Sequence, residues 1–274
     1  MAVFNSLTFD GENSLSYGIY VTGEAVYNAP EREIEMISIP GKNGALAVDR
    51  GRFQNIEVTY PAGTFGSNQS YFAAKIREFR NILGSRFTYK ILTDSYHSDE
   101  FRLGLYRSGL EVDPVRYGSA GEFEIKFDCK PQRFLFSGIM EHEFTDDGAI
   151  ENPTLFSSNP LLIVTGNGTI TIGDYEVTVS GNSETIWIDS ELNDYYIPAG
   201  ILEPLTDENS DVITDDLSIP IEVITGSGSL YPVRPAGVTV TFDNHEYPKL
   251  MPGQNAIYID GITSLTVIPR WWII

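Results

Sequence analysis

The sequence predicts a mainly β protein built as two units, and three observations predict it. Short runs rich in Val, Ile, Thr, Tyr and Phe alternate with Gly, Asn, Asp and Pro clusters along the whole 274 residues, the pattern of packed antiparallel sheets. A single segment carries a helical apolar stripe. The basic residues all but stop at Arg133: residues 1–133 hold 15 of the 18 Lys and Arg and 17 of the 38 Asp and Glu. Residues 134–274 hold three bases against 21 acids, and so carry −18 of the formal −20. A break that sharp predicts two units in different surroundings, and two domains of about 130 residues are an ordinary size. It also argues against nucleic acid as a partner of the second half, because phosphate binding needs clustered Lys and Arg.

In the first unit, residues 4–9 and 17–21 read as early strands. Residues 34–39 lead into Pro40-Gly41-Lys42-Asn43-Gly44, where Asn43-Gly44 is the pair that a tight hairpin turn favours. In this strand Ile34 and Met36 lie on one face and Ile37 and Ile39 on the other, so both faces carry apolar groups. Residues 53–60 predict a strand with Phe53, Asn55, Glu57 and Thr59 opposite Ile56, Val58 and Tyr60. In residues 70–86, Phe72, Ile76, Phe79 and Leu83 fall on one helical face, with Ser70 placed to cap the start and Gly84 to take the left-handed position at the end. Lys75, Arg77 and Arg80 lie off that stripe, facing either water or an acidic or subunit partner. Residues 87–92, 101–106 and 122–129 complete the unit, the last pointing Phe123, Ile125 and Phe127 one way and its charged residues the other. Lys130-Pro131-Gln132 is expected to end it, because proline cannot donate to a ladder.

The second unit predicts strands at 161–165, 169–172, 176–179, 185–188, 219–224, 238–242, 256–259 and 264–268, with Gly166-Asn167-Gly168 and Gly181-Asn182 as separators. No helical stripe occurs there, so a β-sandwich or jelly roll is expected. The segments LLIVTGNGTITI and IEVITGSGSLYP resemble one another as two similar hairpins would, over too short a span for a repeat fold. Residues 203–217 carry six acids and little to bury, and are expected to form an exposed loop that proteases cut first.

Composition removes several function classes. Hydrophobic content of 42% supplies packed cores. Cys129 is the single cysteine, which rules out an internal disulfide and a cysteine metal site and fits a reducing compartment. The first residues lack the basic and apolar regions of a signal peptide, and no stretch approaches the roughly 20 apolar residues of a membrane helix. No phosphate-loop, zinc-protease or serine-hydrolase motif is present. His97, His142 and His245 are scattered, and acid pairs among 38 carboxylates carry no specific signal for glycoside hydrolysis. The run Asp207-Glu208-Asn209-Ser210-Asp211 begins like a calcium loop, but Val212 stands where Gly is needed and Ser218 where the bidentate Glu is needed. No catalytic residue, cofactor or metal site is therefore expected. Trp187, between Ile186 and Ile188, reads as core or half-buried. Trp271 and Trp272 should point to opposite sides of a strand, leaving one as a candidate partner contact.

Several blocks in fixed order resemble the distal tail protein family of siphophages and related prophages of Gram-positive hosts. They are Phe9-Asp10-Gly11, Tyr17-Gly18-Ile19-Tyr20-Val21, PGKNGALAV with GRFQNIEVTYP, and FDCKPQRFLFSG. NPLLIVTGNGTITI, the segment IDSE at 188–191 and LMPGQNAIYIDGITSLTVIPRWW follow in the second unit. The resemblance covers residues 4–197 and 248–272.

The resemblance implies a structural protein and not an enzyme. Residues 1–137 would form an N-terminal β-sandwich with one α-helix and a hairpin extension, the ring-forming domain. Residues 138–152 would be a linker, and 153–274 a C-terminal galectin-like β-sandwich, on the outside of the ring, with an insertion at 198–248. Six copies would form a homohexameric ring at the virion tail tip, assembled in the host cytoplasm. The ring would join the tail tube protein to the tail-associated fibre or lysin protein, carry receptor-binding proteins in some relatives, and leave a channel that DNA passes without specific binding. No membrane is involved. Candidate oligomer or partner contacts are Ile34, Met36, Ile37, Ile39, Lys75, Arg77, Arg80, Trp271 and Trp272. A carbohydrate-binding module recognising a host cell-wall glycan is the alternative reading: the galectin sugar-binding pattern (H-x-N-P-R with W-G-x-E-x-R) is absent, but the sandwich architecture allows such a site.

Overall fold

The computed structural model describes residues 5–22, 27–65, 69–115, 120–198, 201–204, 222–225 and 232–274. The chain divides into two compact units: residues 1–136 with 272–274, and residues 137–271. Both are mainly β, with antiparallel sheets that curl, and one α-helix occurs among the described residues. The expected mainly β class is thus observed.

The first unit contains β1 (Leu7–Phe9), β2 (Glu12–Asn13), β3 (Ile19–Val21), β4 (Arg32–Ser38), β5 (Ala45–Phe53), β6 (Ile56–Phe65), α1 (Gln69–Ser85), β7 (Lys90–Asp94), β8 (Glu100–Leu105), β9 (Val112–Val115) and β10 (Ala120–Leu135). Nine strands form one sheet, in the order β2-β1-β7-β8-β10-β6-β3, with β9 and the last strand of the chain also paired to β10. β10 organises it. Phe123, Ile125, Phe127 and Cys129 are buried, while Glu122 and Glu124 are exposed, the period of two that puts alternate residues on one face. Its first half pairs with β6 and its second with β8, and the register shifts between Cys129 and Arg133. The expectation that Pro131 ends this strand is corrected: the missing N–H falls in a bulge, where no ladder bond is required, and β10 runs on to Leu135. Similarly, β6 starts at Ile56 and not at 53, with Val58, Tyr60 and Ala62 inward.

Helix α1 covers this core as its stripe predicts. Phe79 and Leu83 are fully buried, and burying each side chain is worth about 1.5–3 kcal/mol. Its ends differ from expectation. Ser70 lies inside the helix and Gly84 is not left-handed. The Ser85 hydroxyl donates to the Ile82 carbonyl at 2.9 Å, and the helix includes Ser85.

The second unit contains β11 (His142–Phe144), β12 (Gly148–Asn152), β13 (Leu161–Ile172), β14 (Tyr175–Ser180), β15 (Thr185–Asp189), β16 (Asp194–Tyr196), β17 (Ile201–Pro204), β18 (Glu222–Thr225), β19 (Thr239–Phe242) and β20 (Gly253–Ile268); β21 (Trp272–Ile273) returns to the first unit. The main sheet runs β11-β20-β13-β14-β19, with β12 on β20 and β15 and β16 beyond β13. Leu162, Val164, Ile170, Ile172, Ile257, Leu265 and Val267 fill its core. Gly166-Asn167-Gly168 is not a separator. It is an irregularity inside β13, packed so closely on β20 that a β-carbon on Gly168 would overlap the Asp260 carbonyl oxygen. Asn167 fastens it by exchanging bonds with the Asn182 carbonyl at 2.7 Å and amide at 2.6 Å.

Residues 138–152, expected as a linker, carry β11 and β12, both paired to β20. Their acidity misleads because those side chains face solvent while Ile150 and Asn152 are buried. Within the expected insertion, β19 is integrated with β14, and β17 pairs with β18. Most of the expected 203–217 loop and the calcium-like run lie outside the described residues.

Candidate interaction surfaces

The β4–β5 hairpin is the outstanding surface of the first unit. The two strands pair only with each other among the described residues. The turn differs from the expected Asn-Gly type. Lys42 N–H bonds the Ile39 carbonyl at 3.2 Å across Pro40-Gly41, with Gly41 at φ 79° and Gly44 at φ 84°. Proline first and a left-handed glycine second make a type II turn, which uses Pro40 and pre-empts Asn43. Beyond the turn, Met36 faces Ala47 and Ile37 faces Leu46. Met36 is 63% and Leu46 51% exposed, and Ile34, Ile37 and Ile39 are exposed too. One face thus presents Ile34 and Met36 and the other Ile37, Ile39 and Leu46, the alternation expected from the sequence. Leu46 is an addition the sequence reading missed. Arg32 bonds Asp49 at 3.0 Å, Arg52 bonds Glu33 at 2.6 Å, and Arg50 pairs with Glu35. These exposed cross-strand pairs fix register more than they stabilise.

The root of the hairpin is anchored. Asn28 receives a bond from Arg102 on its carbonyl at 3.5 Å and from Arg133 at 3.4 Å, and donates to the Glu57 carbonyl at 3.1 Å. Gln54 N–H bonds the Glu31 carbonyl at 2.9 Å. Both arginines are buried, and Arg133 pairs with the buried Glu100. Burial and then the charge of Arg133 push the Arg102 pKa down, and one of its terminal nitrogens is buried without a hydrogen-bond partner. Two like charges held in a dry place with one carboxylate between them make a costly arrangement.

The remaining expected contacts are placed as follows. Lys75 pairs with Glu78 at 3.1 Å and sits over the Tyr17 ring at 5.8 Å, while Arg77 and Arg80 are exposed on α1. Trp271 and Trp272 do not share a strand. Trp271 is buried in the second unit. Trp272 begins β21, pairs with Phe134, is half-buried, and meets the Phe53 ring edge-on at 6.4 Å. The hairpin root is thereby braced by the end of the chain. Trp187 is half-buried against Tyr196, as read from its neighbours. Cys129 is buried, and desolvation pushes its thiol up to about 12, so it is unreactive at neutral pH.

In the second unit, Asp189 is buried and takes both Arg270 guanidinium nitrogens, at 2.7 and 2.8 Å. Burial works to raise its carboxyl. The Arg270 bonds and charge outweigh this, with the Leu192 and Glu191 amides adding to them, and hold it below the usual carboxylate range. A depressed folded-state pKa gives stability that is present above the unfolded value, about 3.9, and is lost as pH falls through the folded value. Asp189→Asn is expected to cost about 2–4 kcal/mol at pH 7, by leaving Arg270 unpaired. In urea melts the gap to the unmodified chain should close only below about pH 4; a gap that narrows between pH 5 and 8 would contradict this.

Among the described residues no group of three or more His, Cys, Asp or Glu is placed to hold a metal ion, and no helix is long and apolar enough to cross a membrane.

Residues 14–129 match the family described as the phage tail protein RIFT-related domain. The whole chain shares its fold with SPP1 Dit, a protein presented as a paradigm of the hub adsorption apparatus of phages infecting Gram-positive hosts. The two are 16% identical with a TM-score of 0.56, over 97% of this chain and 98% of that one. A chain of the phage P2 baseplate in its activated, calcium-bound conformation matches at 9% identity and TM-score 0.52, over 97% of each chain. No curated protein sequence matches. The likeness is thus to a phage tail protein domain in residues 14–129, and to the fold of a Dit protein over the whole chain.

Proposed function

We propose that the chain is a non-catalytic structural hub of a siphophage tail tip, located in the virion. Six copies close into a ring between the tail tube protein and the tail-associated fibre or lysin protein, and DNA passes through its centre. The first unit forms the ring, and the acidic second unit, read as galectin-like, faces solvent. The observation that carries this is the β4–β5 hairpin: a two-stranded ladder with large apolar side chains exposed on both faces. Such an arm needs cover, and a neighbouring copy supplies it in a closed cyclic assembly. Covering five half-exposed side chains is worth roughly 5 kcal/mol per hairpin. Light scattering should give about 183 kDa, six times the 30.5 kDa chain. Monomer at every concentration, with and without tail partners, would contradict the reading.

The conduit role carries its own expectation. DNA presents one negative charge per about 1.7 Å of axis, so a wall of free Lys and Arg would grip it. Of the five first-unit bases Arg50, Arg52, Lys75, Arg77 and Arg80, the first three are matched by Glu35, Glu33 and Glu78, while Arg77 and Arg80 are exposed on the helix. The ring should bind double-stranded DNA negligibly at physiological salt. Tight, salt-sensitive binding that disappears when all five are changed to Ala would overturn the passive conduit.

A further inference from the structure

A cleft of about 400 Å³ in the second unit is lined almost wholly by polar side chains. Three segments build it. Asn159 precedes β13, the turn from β15 to β16 supplies Glu191 and Asn193, and the stretch after β19 supplies His245, Tyr247 and Lys249. Small-molecule pockets are mostly apolar with a few polar groups. This one inverts that balance, keeping one aromatic ring among hydrogen-bonding side chains.

The cleft is pre-organised by its backbone and by hydrogen bonds among its own side chains. Asn193 and His245 both hold left-handed backbone, at φ 52° and 58°, and they are two of four non-glycine residues that do so among the described residues. Non-glycine backbone of this kind clusters where a ligand is held. Ser190, also on the lining, has a buried hydroxyl with no hydrogen-bond partner. The Asn159 amide donates to Glu191 at 2.8 Å, which orients both side chains and leaves the Asn159 carbonyl and the second Glu191 oxygen as acceptors. The Tyr247 ring is backed by Phe242, with centroids 4.0 Å apart, and so is held as a fixed platform.

We propose that this cleft binds a neutral saccharide unit, with Tyr247 against the C–H face of the pyranose and Asn159, Glu191, Asn193 and Lys249 on its hydroxyls. A ring with hydroxyls around its edge and C–H groups on its faces matches a polar rim around one amphipathic aromatic. Charge selects among glycans. Residues 134–274 carry a formal −18, which repels phosphate-backbone polymers, and Lys249 is the one Lys or Arg on the lining. The site is independent of the ring. A monomer could carry it, and a ring could lack it.

The test is titration calorimetry on the full chain with neutral trisaccharides built from glucose, galactose or N-acetylglucosamine, and with poly(glycerol phosphate). One neutral probe should bind saturably with a dissociation constant on the order of 1 mM, and the phosphate polymer should not bind. Tyr247→Ala should weaken binding about tenfold or more. Glu191→Gln, which keeps size and the Asn159 bond, should weaken it comparably with an unchanged circular dichroism spectrum, so a misfolded Tyr247 variant would not decide the matter. Ser190→Ala should leave thermal stability unchanged or raised. Absence of a saturable signal from every neutral probe up to about 10 mM would overturn the proposal. So would binding indifferent to Glu191→Gln, or preference for the phosphate polymer. Cleavage of a bound probe would also overturn it, replacing a binding site with a hydrolytic one.

Discussion

Changing Ile34 and Ile37 to Asp together is expected to reduce the assembly to single chains of 30.5 kDa while leaving each chain folded. The two residues lie on opposite faces of β4, so the double variant puts a carboxylate on each apolar face of the hairpin. Both are exposed in the single chain, where surface substitutions usually cost within about 0.5 kcal/mol. In a covered interface each unpaired carboxylate costs several kcal/mol, more than the hairpin gains from burial. Light scattering should therefore lose the large species, with the circular dichroism spectrum unchanged. Leu155→Asp, at an 88% exposed position in the second unit, should keep it. A double variant that still assembles would remove the hairpin from the interface.

The second large effect is expected inside the first unit. Glu100→Ala should destabilise it by about 3–5 kcal/mol, the scale for breaking a buried ion pair by deleting one partner. Glu100 is the carboxylate that pairs with Arg133, and Arg102 is buried beside them. Deleting it leaves two adjacent guanidinium groups dry. Adding Arg133→Met to Glu100→Ala should recover part of the loss, since removing both members of a buried pair is far milder than removing one. Urea midpoints for the two singles and the double measure this. Equal stability of the Glu100 variant and the unmodified chain would mean the cluster is not held as described. Because Arg102 and Arg133 also grip Asn28, the single variant should loosen the hairpin root, detectable as faster amide exchange at Gln54.

Much of this was legible in the sequence where the signal was local. The alternation of Phe123, Ile125 and Phe127 with charged neighbours gave the centre of β10, and the spacing of Phe72, Phe79 and Leu83 gave the buried face of α1. The two-faced hairpin was legible for the same reason, since period two in a strand assigns Ile34 and Ile37 to opposite sides. What failed depended on partners far along the chain. Pro131 reads as a stop until a bulge against β8 accommodates it, and Gly166-Gly168 reads as a turn until β20 is packed against it. In the stretch 138–152 the acidic side chains face solvent while Ile150 is buried, a division that composition alone does not register. Arg133 was visible only as the point where basic residues thin out. Its pairing with Glu100, 33 residues earlier, has no local signature. The two tryptophans were expected on one strand, but β21 begins at Trp272 and leaves the buried Trp271 outside it.

The central claim is that copies of this chain close into a ring around an open passage. Negative-stain imaging of the purified full-length particle tests it most directly. The account predicts end-on views with six-fold symmetry, a stain-filled centre, and loss of the rings in the Ile34→Asp, Ile37→Asp variant. Particles with no rotational symmetry, or closed at the centre, would contradict it.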